Sequence, residues 1–174
     1  NWMPLNGGQS YLIPSVCKDK LMRDPSICQA PDGTFHMVWT SSWTDRIIGH
    51  ASSRDLIHWS EQQAIPVMMH EPTAHNCWAP ELFYDEPSQT YYIFWATTIP
   101  GRHKEVATSE SEKGLNHRIY YVTTKDFRTF SKTKMFFNPD FSVNDSALVK
   151  APKLGDMKII VKNENSNPPV KNLR

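Results

Sequence analysis

Ser52-Ser53-Arg54-Asp55-Leu56-Ile57-His58-Trp59-Ser60 returns 71 residues later as Thr123-Thr124-Lys125-Asp126-Phe127-Arg128-Thr129-Phe130-Ser131. The residues upstream return with it. Asp24-Pro25-Ser26-Ile27-Cys28 and Phe35-His36-Met37-Val38-Trp39 open the first copy, and Ala79-Pro80-Glu81-Leu82-Phe83 and Tyr91-Tyr92-Ile93-Phe94-Trp95 open the second. A third copy begins with Asp145-Ser146-Ala147-Leu148-Val149 and Met157-Lys158-Ile159-Ile160-Val161 and has no closing phrase. The openings at 24, 79 and 145 set periods of 55 and then 66 residues. Internal repeats decide an architecture before single residues do, because each repeat is one unit stacked on its neighbours.

Within a copy the segments are short, apolar or alternating, rich in Val, Ile, Tyr, Phe and Trp, and separated by Gly, Pro, Asp and Ser clusters. That is the chemistry of strands and turns. The first copy predicts four strands, at residues 26–29, 35–40, 47–52 and 58–62. A four-stranded sheet repeated at this spacing is a β-propeller blade. The expected organisation is one all-β domain with blades at about 24–66 and 79–138 and a truncated one at 145–174. No segment shows sustained helical periodicity or the length of a membrane span.

The chain has 174 residues, a net charge of +1, and 39% hydrophobic and 11% aromatic residues. That is enough to bury a core, but it supplies no basic stripe for a phosphate backbone, so nucleic acid is excluded as a partner. The basic residues between Lys125 and Lys134, interleaved with Phe127 and Phe130, read as the solvated face of an outer strand. Cys17, Cys28 and Cys77 are odd in number and form no Cys-x-x-Cys pair, which argues against a disulfide framework and a zinc site. Cys28 reads as a buried, inert thiol on an inner strand. No signal peptide is visible, and the sequence starts at Asn1 rather than Met, as a mature or trimmed form would.

Strands in a blade run antiparallel, so the start of strand 1, the loop between strands 2 and 3, and the linker to the next blade emerge on one face. Asp24, Asp145, Trp43, the linker 70–78, the insertion 99–116 and the segment 163–172 therefore share a rim. Long loops on a rigid scaffold serve binding or are simply mobile. Asp24 and Asp145 should point into one funnel from the first and third blades. Two converging carboxylates suit general acid and base chemistry, although an Asp that opens a strand also serves as a turn former.

Arg23-Asp24-Pro25-Ser26, Trp78-Ala79-Pro80-Glu81-Leu82 and Asn144-Asp145-Ser146-Ala147, each leading into a strand, resemble glycoside hydrolase family 43. That family has a five-bladed β-propeller fold and includes arabinanases, arabinofuranosidases and β-xylosidases. The 121 residues between Asp24 and Asp145 suit the family's spacing. The resemblance implies that roughly two and a half of five blades are present. It makes Asp24 the general base and Asp145 the carboxylate that orients the acid and raises its pKa, in an inverting mechanism. In such enzymes acid and base stand roughly 6.5–9.5 Å apart, with the attacking water between. An Asp near its ordinary value of about 3.9 is ionised at working pH, whereas a neighbouring carboxylate favours the neutral form of an acid.

The family's general acid is a Glu from a later blade. Glu81, Glu110, Glu112 and Glu164 do not stand at its position, and an open propeller exposes raw sheet edges, so the sequence reads as part of a longer chain. Trp78 and Trp43 are candidates to stack on a sugar ring, His75 and Asn76 to bond its hydroxyls, and Arg174 to reach the pocket. Lys162 and Glu164 are placed to pair near Asp145. Asn144-Asp145-Ser146 also spells a glycosylation acceptor, which reads as accidental beside the funnel. No cofactor is required; some relatives hold a structural calcium on the propeller axis, but no dedicated loop of ligands stands here.

The expected partner is thus a carbohydrate substrate, an arabinose- or xylose-containing polysaccharide or oligosaccharide, handled by a secreted or periplasmic enzyme. Two other readings stay open: a non-catalytic propeller that binds glycan or protein, and a related five-bladed enzyme such as a mannoside phosphorylase.

Overall fold

The computed structural model describes residues 3–104, 114–150 and 157–165; Glu110, Glu112 and Arg174 lie outside them. Among these described residues ten strands make three sheets. Strands β1 (Arg23–Gln29), β2 (Phe35–Thr40), β3 (Ile48–Ser53) and β4 (Gln63–Ile65) form the first, in chain order. The second repeats that order with β5 (Trp78–Asp85), β6 (Thr90–Thr98), β7 (His117–Thr124) and β8 (Lys134–Phe137). In the third, β9 (Val143–Lys150) pairs with β10 (Met157–Asn163). Every pairing is antiparallel. β1 packs on β5 and β5 on β9, so the three innermost strands stand side by side.

Alternation along the middle strands decides what lies between sheets. Val38 of β2 faces Ile93 and Trp95 of β6 in the core between the first two sheets, while Phe94 and Ala96 point the other way to Val143 and Val161 of the third. Met37 and Trp39 take the remaining face, where Leu12, Val16 and Met22 of the N-terminal segment cover them. A strand buried on both faces reads as a continuous apolar run, as 91–95 does.

The repeated closing phrase is a turn, which corrects two expectations. Ser53 Oγ accepts from the Leu56 amide at 2.8 Å, and Asp55 Oδ1 accepts from the Ile57 and His58 amides at 2.9 and 2.8 Å. Thr124 and Asp126 make the same bonds to Phe127, Arg128 and Thr129. These side-chain oxygens compete with strand pairing and win locally. Only one bridge per copy forms there, Ser53 with Trp59 and Thr124 with Phe130, so the fourth strand starts at Gln63 rather than 58. Phe127, with φ of 54°, is buried rather than on a solvated outer strand. Its ring stacks on those of His36 and His50, with centroids 4.1 Å apart in each case. Cys28 also proves half-buried, not buried, although burial still raises its thiol.

This stack is acid-sensitive. His36 Nδ1 lies 3.2 Å from His50 Nε2, and His50 Nδ1 lies 3.3 Å from Gln63 Oε1. Burial, followed by the proximity of His36, lowers His50 from 6.5 to about 4. Burial lowers His36 as well, against the nearby Asp32 carboxylate. Below pH 6.5 the unfolded chain takes up a proton at position 50 that the folded chain refuses until about pH 4. Stability is therefore complete above 6.5 and falls as pH drops through that window, by about 2 kcal/mol at pH 5 from His50 alone. Urea midpoints at pH 7 and pH 5 should differ accordingly, and His50→Gln should flatten the difference; an equal slope in that variant would contradict the assignment.

Candidate active site

The three inner strands open with the same irregularity. Between Arg23 and Ser26, Trp78 and Glu81, and Asn144 and Ala147, three steps on the inner strand oppose two on its partner. The extra residue of each bulge is left-handed: Asp24 has φ of 47°, Ala79 of 45° and Asp145 of 47°. A bulge re-aims a side chain, and a non-glycine residue held at positive φ stores backbone strain of about 1–3 kcal/mol. The repeat thus presents an equivalent position three times at one end of adjacent inner strands, with a carboxylate on the first and third.

Asp24 is exposed, and its Oδ2 accepts from the buried Thr40 hydroxyl at 3.4 Å. The same hydroxyl accepts from the Ala79 amide at 2.9 Å, so its proton is free for Asp24. Thr40 thus ties the first carboxylate to the second sheet's bulge, a role the sequence reading did not assign.

Asp145 ends a chain of charged side chains. Lys162 Nζ donates to its Oδ2 at 2.9 Å and stands 3.4 Å from Glu164 Oε1. Glu164 is fully buried, and its Oε2 takes the Nδ1 of equally buried His117 at 3.0 Å. Asn76 Nδ2 lies 2.8 Å from His117 Nε2, while Asn76 Oδ1 accepts from the Thr98 amide at 2.9 Å. That amide fixes which end of Asn76 faces the ring, so His117 accepts at Nε2 and donates from Nδ1. Burial works to raise Glu164, but the hydrogen bond from His117 and the charge of Lys162 outweigh it and hold the carboxyl below its usual range. Burial likewise opposes the charged form of Lys162, and its bond to Asp145 prevails and raises it.

The remaining candidates divide. Trp43 is exposed on the rim, with the Arg23 guanidinium 4.2 Å from its ring centroid. Trp78 is half-buried, meets Trp43 edge-on at 82°, and donates from Nε1 to the Trp43 carbonyl at 3.0 Å. The two indoles form a corner. His75 is half-buried, with its amide bonded to the Thr98 carbonyl. Asn76 is a correction: it is fully buried with both ends of its amide engaged, so it holds His117 and β6 rather than a sugar. Asn144, the sequon residue, is also buried. Burial raises Glu81, against hydrogen bonds from the Ser26 hydroxyl and the Leu148 amide, so this carboxyl links all three inner strands below the bulges.

Among the described residues no three His, Cys, Asp or Glu side chains gather as metal ligands. The Lys162 ammonium held by Asp145 would repel a second cation at that carboxylate. No helix among the described residues is long and apolar enough to cross a membrane. His117 was missed because its partners stand 41 and 47 positions away, with no local pattern to mark them.

The family model described as "Probable glycosyl hydrolase domain" matches residues 1–172. An α-L-arabinofuranosidase of Bifidobacterium longum subsp. longum is 24% identical over 104 residues, which are 56% of this chain and 10% of that protein. The family 43 protein BlXynB of Bacillus licheniformis superposes with a TM-score of 0.58 at 18% identity, covering 87% of this chain and 30% of that one. An N-acetylgalactosamine deacetylase from F. plautii reaches 0.59 at 13% identity, covering 82% and 40%. This chain therefore spans 10%, 30% and 40% of the length of these three proteins. The likenesses show the all-β, five-bladed propeller fold, of which the described residues form two four-stranded sheets and two strands of a third. On a match over nearly its whole length, the chain belongs to the glycosyl hydrolase family related to glycoside hydrolase family 43.

Proposed function

We propose that this chain carries two of the three carboxyl groups of an inverting glycoside hydrolase acting on arabinose- or xylose-containing polysaccharide or oligosaccharide. The observation that supports it best is the pair Asp24 and Asp145, each on the strained bulge that opens an inner strand. Asp24 takes the proton from the attacking water, and Asp145 faces the leaving-group side, where it orients a glutamic acid supplied from outside these 174 residues. As the water attacks the anomeric carbon, that acid protonates the departing oxygen. The corner of Trp43 and Trp78 offers an apolar wall for the sugar ring, with His75 beside it. Such substrates place the enzyme outside the cytoplasm, secreted or periplasmic, and the reaction needs no cofactor. The arabinofuranosidase relative and family 43 neighbour support the substrate class.

The test is the stereochemistry of the first product. The complete protein, given aryl arabinofuranosides and xylosides in an NMR tube, should release the inverted anomer first, with the retained anomer rising only by mutarotation. Initial release of the retained anomer would overturn the mechanism, and failure to cleave any pentoside would overturn the substrate class.

A further inference from the structure

We infer that Lys162 is a positioning residue for Asp145, aimed by the buried chain Glu164, His117 and Asn76 that runs back between the second and third sheets. The inference rests on the reading of Asp145 as a functional carboxylate. Two carboxylates compete for one ammonium, and the distances decide between them: 2.9 Å to Asp145 against 3.4 Å to Glu164 Oε1. Lys162 thus gives its short bond to the exposed partner, while fully buried Glu164 keeps an oxygen with no other hydrogen bond. A wedge between sheets is filled more cheaply by apolar side chains than by a buried ion pair, which is often neutral or stabilising to replace. An ionic chain kept there favours specificity of position over stability.

Each link removes a freedom from the next. The Thr98 amide orients Asn76, Asn76 sets the ring nitrogen that His117 presents to Glu164, and the Ser142 hydroxyl also approaches Glu164 Oε2, at 3.4 Å. Glu164 then confines a flexible four-carbon side chain that would otherwise carry its ammonium anywhere on the rim. Because Thr98, Asn76 and His117 belong to the second sheet and its linker while Lys162 and Asp145 belong to the third, the carboxylate's aim depends on how the two sheets dock. Asp24, by contrast, is met among the described residues by the neutral Thr40 hydroxyl. The carboxylates are held by different means, as a base and an orienting group require.

The experiment compares Lys162→Met, Lys162→Arg, Glu164→Gln and Asp145→Asn in the complete protein, by steady-state kinetics on aryl pentosides and by crystal structures. Lys162→Met should lower kcat about 100-fold, as misplacement of a group at the reaction centre does, with KM within about threefold and the alkaline limb of the pH–rate profile moved to lower pH. Lys162→Arg should restore most of the loss and Glu164→Gln should show a smaller one. In crystals of Lys162→Met, Asp145 should leave its native rotamer. An unmoved Asp145 there would overturn the inference whatever the kinetics, as would native kcat and pH profile in Lys162→Met alongside an inactive Asp145→Asn. If Asp145 moves but Asp145→Asn is fully active, the proposed function fails and the positioning stands. Should Lys162→Met fail to fold, Lys162→Gln carries the same readouts.

Discussion

Asp24→Asn in the complete protein should lower kcat on a cleavable pentoside by about 10²–10⁴-fold, the range of a lost general base, and leave the fold unchanged. The side chains are nearly isosteric, and the amide oxygen of Asn accepts the Thr40 hydroxyl as the carboxylate does at 3.4 Å. Position 24 is exposed, so no buried charge is uncovered. What is lost is the ability to take a proton from water. KM should change little, because a base acts mainly in the transition state. A variant with near-native kcat would remove Asp24 from the chemistry and leave its bulge as a structural feature. Circular dichroism and melting temperature, matched to the native protein, separate lost catalysis from lost fold.

Gly49→Ala should be the most damaging single methyl addition in the first sheet. Gly49 stands directly across from Trp39, and the indole lies over the glycine so closely that a Cβ would come 2.0 Å from Trp39 Cε2 and 2.3 Å from Nε1. The ring cannot yield. Trp39 is fully buried under the N-terminal segment, among Met37, Ala51, Leu12, Val16 and Met22. Overpacking a tight core costs about 1–3 kcal/mol, and a clash this deep belongs at the upper end, a loss of roughly 6–12 °C in melting temperature. Gly33→Ala is the comparison. Gly33 has φ of +84° but nothing within 4 Å of the added carbon, so it should cost only the backbone term of about 1–2 kcal/mol. Pairing Gly49→Ala with Trp39→Leu should recover part of the loss. If Gly49→Ala melts like the native protein, Trp39 is not wedged as described.

The repeats were legible because a blade is a local object. Its strands are neighbours in sequence, and the runs at 35–39 and 91–95 stand out as strands by their aromatic and β-branched residues. The closing phrase misled for an equally local reason: Ser53, Asp55, Thr124 and Asp126 carry oxygens that capture nearby amides, so an alternating stretch that reads as strand folds into a turn. The two aspartates were legible through the repeated motifs around them. Thr40, His117 and the aim of Lys162 were not, since each acts on a partner in another sheet.

Periodicity and repetition within about sixty residues sufficed for the all-β class, the blade order, the three inner strands and the residues that open them. It took the packing of the sheets to show that Asp24, Ala79 and Asp145 share one left-handed bulge, that Asn76 is a buried strut rather than a sugar contact, and that a hydrogen-bonded chain from His117 through Glu164 and Lys162 ends on Asp145. Those features depend on how separate sheets dock. Docking is governed by side chains that meet across the core at separations of 40 residues or more, where no spacing rule reaches.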